Sequence, residues 1–370
     1  MRFFLRVLLG LLPHASPALA DASPASASEL PARVAAIEYG PRGARPVVFQ
    51  VMSRRMQWMG DWRQDASVAH LSWSPDGAFL FYRQAGELLR HDLNSTAGNR
   101  TLATELAPPR GRPDYVLRPD GQQLALRRTN SQIELMSLST VAGATGSSKQ
   151  VEMPSECYPS RLQWQSDGRG LWVLCTRAEA KAAPLLVHVD STTAGVQSQE
   201  APGIADLLGW SPARGLLAAG KADAFGQRPG QVRRDGLFQP LSPEPSVSEK
   251  GQESPPLDFV QGYLPSQDLF VMARASEDPA DPVLLTLRSP GDASGRRWLK
   301  AFPRVGSLSF GGLTSWVSFV ERKPSDREDV GDLYLVRVGK EDARWIARSN
   351  ARQHVFYGAP VPEPGQKVAK

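Results

Sequence analysis

Residues that could bind or react are spread along the chain, each just before or early in a short apolar segment. Aspartate and histidine brought together from such positions could hold a divalent cation, lower the pKa of a bound water and support hydrolase or lyase chemistry. The same side chains could instead line a polar surface that binds a partner. The candidates are His70, Arg112, Asp114, Tyr158, Arg161, Asp206, Asp258, Arg304 and His354.

The sequence contains no recognised catalytic motif. The nearest string to a GxSxG nucleophile elbow runs from Gly209 to Ala213 and lacks the second glycine. HExxH, Walker and dinucleotide-binding motifs are absent as well. His91 and His188 fall in separate apolar segments, where ordinary packing explains them. We therefore expect no catalytic residue, no resident metal and no cofactor, and we favour a binding protein over an enzyme.

The segments that must position these residues belong to a repeated unit. From Val68 to Leu93 the chain reads as three short strands joined by two tight turns. Leu71 and Trp73 alternate with polar neighbours, as in a strand with one buried face. In the turn Ser74-Pro75-Asp76-Gly77, proline sets the first corner, aspartate bonds its own backbone and glycine takes a positive φ. Such a unit cannot bury its own face, so copies of it are expected.

Five further copies follow the first one. The large residues before the successive turns are separated by 44, 47, 46, 53 and 47 residues, close to the period of about 40 to 45 expected for four-stranded propeller blades. These residues are Trp73, Leu117, Trp164, Trp210, Tyr263 and Phe310. Outer strands are predicted at Thr101–Leu106, Gln150–Met153, Val196–Glu200, Leu237–Leu241, Arg297–Phe302 and Arg344–Arg348.

The two ends of the repeat array predict one more blade, made from both termini. Three strands without an inner strand occupy Val34–Tyr39, Pro46–Met52 and Arg55–Met59, and HVFYGAP around Phe356 is an inner strand with no blade after it. Pairing these segments would close the ring and remove exposed sheet edges. We predict an all-β, seven-bladed β-propeller from 34 to 358, with six blades plus an N-terminal extension as the alternative.

In this propeller the candidate residues lie near the mouth of the central channel. The residue types of these candidates differ from one repeat to the next at equivalent positions. This favours a polar channel lining over a metal centre. Loops too polar for strands could add contacts on a rigid scaffold. These loops are Arg177–Pro184, Ala222–Gly230, Ser242–Pro256, Ser276–Pro282 and Arg322–Val330. We expect a non-catalytic protein that binds a protein or cell-envelope component; the alternative is a metal-assisted hydrolase or lyase at the mouth.

The first 20 residues are typical of a secretory signal peptide. Arg2 and Arg6 precede an apolar run from Val7 to Leu12, and Ala18-Leu19-Ala20 offers a small-residue cleavage site. We expect residues 21–33 to form a flexible leader and 359–370 a disordered tail. Export predicts a periplasmic or secreted protein with no transmembrane segment in its mature form. We also expect a monomer.

The cysteines and the charge agree with an exported protein that does not bind nucleic acid. Cys157 and Cys175 lie in one repeat, where a hairpin brings them to the same end, so a disulfide or two buried thiols are the alternatives. Removing Arg2 and Arg6 from a net charge of +5 leaves 5 − 2 = +3, which is a mild excess. Nucleic acid is a poor candidate for the partner, because the sequence has no recognised nucleic-acid-binding motif beside this small positive charge.

The units LSWSPDGAFLFY and VLRPDGQQLAL resemble the Pro-Asp-Gly repeats of the TolB-type, WD-like propeller family. The resemblance covers roughly Ala69 to Val338 and is strongest in the first three or four units. It implies a propeller fold and a bacterial periplasmic setting, and it carries no catalytic residue. Only 13 residues separate Ala20 from Val34, too few for the α/β domain that precedes the propeller in TolB itself, so we expect a different member.

Overall fold

A computed structural model describes most of the chain between residues 33 and 357. The described ranges are 33–64, 68–95, 98–107, 113–138, 146–179, 181–223, 226–241, 257–274, 283–292, 295–302, 304–310, 315–322, 331–349 and 354–357. The proposed signal peptide, the leader up to residue 32 and the tail lie outside these ranges.

The described residues form 28 strands and no helix, arranged as seven four-stranded antiparallel sheets. The chain is therefore a seven-bladed β-propeller, which confirms the predicted fold and blade number. Blade 1 comprises β1 (Arg33–Gly40), β2 (Gly43–Gln50), β3 (Met56–Met59) and β28 (His354–Tyr357). Blade 2 comprises β4 (Ala69–Trp73), β5 (Phe79–Gln84), β6 (Glu87–Asp92) and β7 (Asn99–Ala103).

Blades 3 to 7 follow in chain order, each running from an inner to an outer strand. Blade 3 comprises β8 (Tyr115–Leu117), β9 (Gln123–Arg127), β10 (Gln132–Ser137) and β11 (Ser148–Glu152), and blade 4 β12 (Tyr158–Trp164), β13 (Gly170–Thr176), β14 (Leu185–Asp190) and β15 (Val196–Glu200). Blade 5 comprises β16 (Ile204–Ser211), β17 (Gly215–Gly220), β18 (Pro229–Val232) and β19 (Phe238–Pro240). Blade 6 comprises β20 (Asp258–Leu264), β21 (Leu269–Arg274), β22 (Leu284–Arg288) and β23 (Arg296–Trp298), and blade 7 β24 (Val305–Phe310), β25 (Trp316–Glu321), β26 (Gly331–Arg337) and β27 (Ala343–Ser349).

The Pro-Asp-Gly turns have the predicted chemistry. Gly77 takes a φ of 67°, and its N–H donates to the Ser74 carbonyl at 2.9 Å. Asp76 accepts a hydrogen bond from the Ala78 N–H at 3.1 Å. The turns at Gly121 and Gly168 repeat both features, with φ of 72° and 70°. These turns fix the register between the first and second strands of blades 2 to 4.

The C-terminal strand closes the ring, as predicted. In blade 1 the strand order is β28-β1-β2-β3, so the last strand of the chain is innermost and the N-terminal strands complete the sheet. Val34 pairs with Phe356, and Ala36 pairs with His354. Seven clusters of buried apolar side chains fill the seven spaces between neighbouring blades, including both sides of blade 1. Burial of these faces stabilises the ring.

Two outer strands end three and four residues before their predicted ends, because a left-handed residue follows each of them. β7 ends at Ala103, shortly before Glu105 with a φ of 57°, whereas the sequence predicted a strand to Leu106. β23 ends at Trp298, before Leu299 with a φ of 54°. β7 also begins two residues earlier than predicted, which includes Arg100 in the strand.

The antiparallel strand order gives the propeller two different ends. Each inner strand begins at one end, here called the mouth end, and the Pro-Asp-Gly turns lie at the other, here called the turn end. All five predicted polar loops connect strand ends at the mouth end. Within those loops, the residues 180, 224–225, 242–256, 276–282 and 323–330 lie outside the described ranges.

A disulfide joins Cys157 and Cys175 in blade 4, with Cα atoms 5.0 Å apart. Both cysteines are buried, and the bond links the approach to β12 with the end of β13 at the mouth end. No helix among the described residues is long and apolar enough to cross a membrane.

Candidate functional site

A pocket of about 200 Å³ lies at the mouth end, between the inner strands of blades 2, 3 and 4. Each strand contributes three consecutive or nearly consecutive residues, so the pocket is positioned by the rigid part of the fold. Two of the predicted site residues, His70 and Arg161, line it. The full lining is His70, Leu71, Ser72, Pro113, Tyr115, Val116, Arg161, Leu162 and Gln163.

His70 is placed by an irregularity in β4. Ala69 pairs with Arg83 and Ser72 pairs with Phe81, so His70 and Leu71 form a β-bulge opposite a single residue. The φ of His70 is 56°, in the left-handed region that non-glycine residues seldom adopt. The bulge turns the buried imidazole towards blade 3, where Nδ1 lies 3.1 Å from Asp114 Oδ1.

Asp114 joins blades 2 and 3 through a buried ionic network. Arg83, which is fully buried, forms an ion pair with the second carboxylate oxygen of Asp114. The guanidinium also donates to the carbonyls of Ala107 at 2.8 Å and Glu87 at 3.2 Å. The hydroxyl of Tyr115 donates to the carbonyl of His70. Blade 2 is thus tied to blade 3 by groups that satisfy one another.

The surroundings of Asp114 keep its carboxylate charged. Burial by itself raises the pKa of Asp114, but the hydrogen bond from His70 and the charge of Arg83 outweigh it, so the pKa lies below its usual value. Burial raises the pKa of the Tyr115 hydroxyl well above its usual value, which keeps that group a neutral donor. These assignments describe a stable structural network at neutral pH.

The other two predicted aspartates lie in separate ion pairs. Asp258 contacts Arg274 of its own blade at 3.1 Å and also pairs with Arg288. Asp206 lies 3.7 Å from Arg161, across the boundary between blades 4 and 5. In the described part of the chain, no three His, Cys, Asp or Glu side chains are grouped so as to hold a metal ion.

Strand β12, which lines one side of the pocket, carries two accessible side chains. Tyr158 begins β12 and is 41% exposed, and the side chain of Arg161, on the same strand, is 32% exposed. Arg127 of blade 3 donates to the carbonyl of Pro159 at 3.0 Å and so fixes the start of β12. An aromatic and a cationic side chain therefore project from a rigid strand beside the pocket.

The remaining predicted site residues are not part of this pocket. Arg304 is partly buried before β24, and its carbonyl accepts a hydrogen bond from the Arg322 N–H at 3.1 Å. His354 begins β28, the innermost strand of blade 1, and pairs with Ala36. Arg112 lies outside the described residues. His91 stacks on Trp58 with ring centroids 3.9 Å apart, and His188 packs against Trp172, which is the ordinary packing expected for both.

Sequence reasoning missed a set of arginines that fix the inner strands. Arg83, Arg127 and Arg274 each lie at or near the end of the second strand of a blade, after an apolar run. Arg83 and Arg274 pair with aspartates, whereas Arg127 donates to the Pro159 carbonyl. The recurrence was visible in the strings FLFYR, LALR and VMAR. The partners were not visible, because Arg83 reaches an aspartate of the next blade whereas Arg274 reaches one in its own.

Comparison with known proteins shows a shared fold. No family model matches the sequence, and no curated protein sequence matches it. Among solved structures, an oligogalacturonate lyase in complex with manganese superposes with a TM-score of 0.57 at 14% identity, covering 87% of this chain and 86% of the lyase. A prolyl endopeptidase gives 0.56 at 14% identity, covering 88% of this chain and 50% of the peptidase.

TolB from Acinetobacter baumannii is also similar, with a TM-score of 0.46 at 11% identity, covering 89% of this chain and 83% of TolB. Identities this low show the fold and leave activity to be argued from the site. The chain is a seven-bladed β-propeller, and its structural neighbours include TolB proteins as well as enzymes.

Proposed function

We propose that this protein is a non-catalytic β-propeller that binds a protein or another cell-envelope component at the mouth end. One observation carries the proposal: β12 lines the pocket between blades 2, 3 and 4 with Arg161, and the same strand presents the exposed side chain of Tyr158 at its first position. Tyrosine and arginine are enriched in protein interfaces and among the residues that dominate binding energy.

The buried network beside this pocket supports a binding role. Asp114, Arg83 and His70 satisfy one another, so their role is to fix the positions of the inner strands. A surface that is rigid before binding loses less conformational entropy when a partner docks.

The metal-assisted hydrolase or lyase alternative gains no support from the described residues. It would require Asp114, Asp206 and Asp258 to converge, and each of them pairs with a different arginine. The lyase and the peptidase that share the fold do not change this conclusion, since one propeller fold hosts many activities.

The proposed setting is the periplasm or the outside of the cell. The N-terminal apolar segment and the buried disulfide both suit an exported chain, because disulfides persist in oxidising compartments. We propose that residues 1–20 are removed, that 21–33 and 359–370 flank a single propeller domain, and that the mature protein acts as a monomer.

The test is capture of the partner by the full chain, tagged at its C terminus, expressed in its source organism and recovered from the envelope fraction. Tyr158→Ala and Arg161→Glu should each lower the recovered partner about tenfold or more. The control is Arg169→Glu, which changes an exposed arginine of the same blade at the turn end and should leave capture unchanged.

Equal capture by the Arg161→Glu and Arg169→Glu variants would overturn the placement of the binding surface. Metal is assayed in the same preparations. A stoichiometric divalent ion in protein that captures no partner would overturn the proposal in favour of the metal-assisted enzyme, and would make Asp114, Asp206 and Asp258 the first residues to substitute.

A further inference from the structure

A second pocket, of about 220 Å³, lies between blades 2 and 3 towards the turn end. Strands β6 and β7 form one wall, and β10 and β11 form the other. Its position is separate from the mouth, since it is lined by third and fourth strands rather than by inner strands. The volume is below the roughly 300 to 1,000 Å³ of pockets for drug-sized ligands, so its occupant is small.

Two arginines lie side by side on the first wall. Arg90 of β6 pairs directly with Arg100 of β7, so both side chains project from the same face of the sheet into the pocket. Like charges directly opposite one another on neighbouring strands are destabilising. The Arg90 guanidinium lies 4.5 Å from the ring centroid of Phe79, and this stacking holds it in place.

The second wall offers a serine hydroxyl and an apolar strip. Ser148 pairs with Met136 and lines the pocket with it and with Leu138, whereas the hydroxyl of Ser137 lies 3.4 Å from that of Ser147 on the other face of the sheet. Glu134 also lines the pocket, and its carboxylate pairs with Arg128 of its own blade at 3.3 Å. The two walls therefore combine two arginines, a serine hydroxyl, a carboxylate held by Arg128 and a short apolar surface.

We propose that this pocket binds a small ligand with an oxyanion head, a carboxylate or a phosphate, carried on a short apolar chain. The head would accept hydrogen bonds from Arg90 and Arg100, whose guanidinium groups suit planar and tetrahedral oxyanions. The apolar chain would pack on Met136 and Leu138. Binding would also remove the repulsion between the two arginines.

The titration of Arg90 agrees with this geometry. Burial lowers the pKa of Arg90 first, the charge of Arg100 lowers it further, and Asp92 opposes both by a smaller effect. A bound anion would favour the charged form of Arg90. The pocket is thus a place where negative charge is stabilised.

Isothermal titration of the full chain tests the proposal with three probes: hexanoate, hexyl phosphate and hexanol. We expect saturable binding of at least one anion, and hexanoate against hexyl phosphate decides which head the pocket prefers. Hexanol, which has the chain without the charge, should bind about tenfold more weakly or not at all. Arg100→Gln should weaken the anion by about tenfold or more, whereas Arg169→Gln, at an exposed site in blade 4, should not.

Arg100→Lys provides a second variant that keeps the charge and loses the planar fork, and it should bind with intermediate affinity. Circular dichroism and thermal melting establish that each variant is folded before it is titrated. Hexanol binding equal to that of the anions, anion affinity unchanged by Arg100→Gln, or no saturable binding of either anion would overturn the proposal. Tyr158→Ala should leave the titration unchanged, which separates this site from the mouth.

Discussion

Arginine side chains at the two ends of the propeller face different partners. At the mouth end, the fully buried Arg83 faces Asp114, and Arg274 faces the buried Asp258. Towards the turn end, Arg90 faces Arg100 across a strand pair beside an open pocket. The first arrangement brings opposite charges together, whereas the second brings like charges together.

The difference separates a structural role from a binding role. A buried arginine with a carboxylate partner holds two parts of the ring at a fixed distance, and the loss of either member leaves an uncompensated charge. Two arginines in register oppose folding slightly, and an anionic ligand would reverse that effect. The predictions below test this comparison, beginning with the largest effect.

Removal of the Asp114 carboxylate should have the largest effect on stability. Asp114→Ala leaves Arg83 buried without its partner, so the free energy of unfolding should fall by about 3 to 5 kcal/mol. Urea denaturation measures the loss. The control is Glu200→Ala, which removes one exposed ion pair of Arg177 and should leave the free energy of unfolding nearly unchanged. Similar losses in the two variants would show that the Arg83–Asp114 pair does not hold the blades together.

Loss of the disulfide should be the next largest effect. Replacing both Cys157 and Cys175 by alanine opens a loop with a sequence separation of 18, and the free energy of unfolding should fall by about 3 kcal/mol. Urea denaturation with and without a reducing agent makes the measurement. The reducing agent should destabilise the natural protein and leave the double variant unchanged; equal stability of the two proteins in oxidising buffer would contradict the prediction.

Acid should weaken the mouth network more than the rest of the ring. The pKa of folded Asp114 lies below its usual value near 3.9, so its contribution to stability is present above that value and is lost as pH falls through the folded pKa. Each unit of lowering corresponds to about 1.4 kcal/mol. Asp114→Asn should therefore show a flatter dependence of unfolding free energy on pH below about pH 4. Identical pH profiles would contradict the assignment.

Relief of the repulsion at the turn end should give a small gain. Without ligand, Arg100→Gln removes one of two directly opposed charges, so the free energy of unfolding should rise by about 0.2 to 1 kcal/mol. Thermal and urea denaturation at low ionic strength measure the gain, and added salt should reduce it by screening. A loss of stability of this size would show that Arg100 supports the fold instead of opposing it.

The repeat features that were predictable from sequence are local ones. Asp76 and Gly77 act within a single turn, and their hydrogen bonds and backbone conformation follow from residue type. Closure of the ring was also predictable, since the period of the repeat places Phe356 at an inner-strand position with only the N-terminal strands left to pair with it.

The features that were not predictable depend on register and on contacts between blades. A register shift between Leu88 and Leu89 brings Arg100 opposite Arg90, and the sequence alone placed Arg100 just outside the strand. The bulge at His70 likewise has no clear signal in its residue type. Arg83 pairs with Asp114 across the boundary between blades 2 and 3. Such a contact depends on how two blades pack together, and the sequence of a single repeat does not specify it.

The central claim, that partners bind at the mouth end, is tested most directly by photocrosslinking within one blade. A benzophenone amino acid replaces Tyr158 at the mouth end in one variant and Arg169 at the turn end in another, and both full chains are irradiated in the envelope fraction of the source organism. We expect a discrete crosslinked partner from position 158 and none from position 169. Crosslinking only from position 169, or the same products from both positions, would contradict the account.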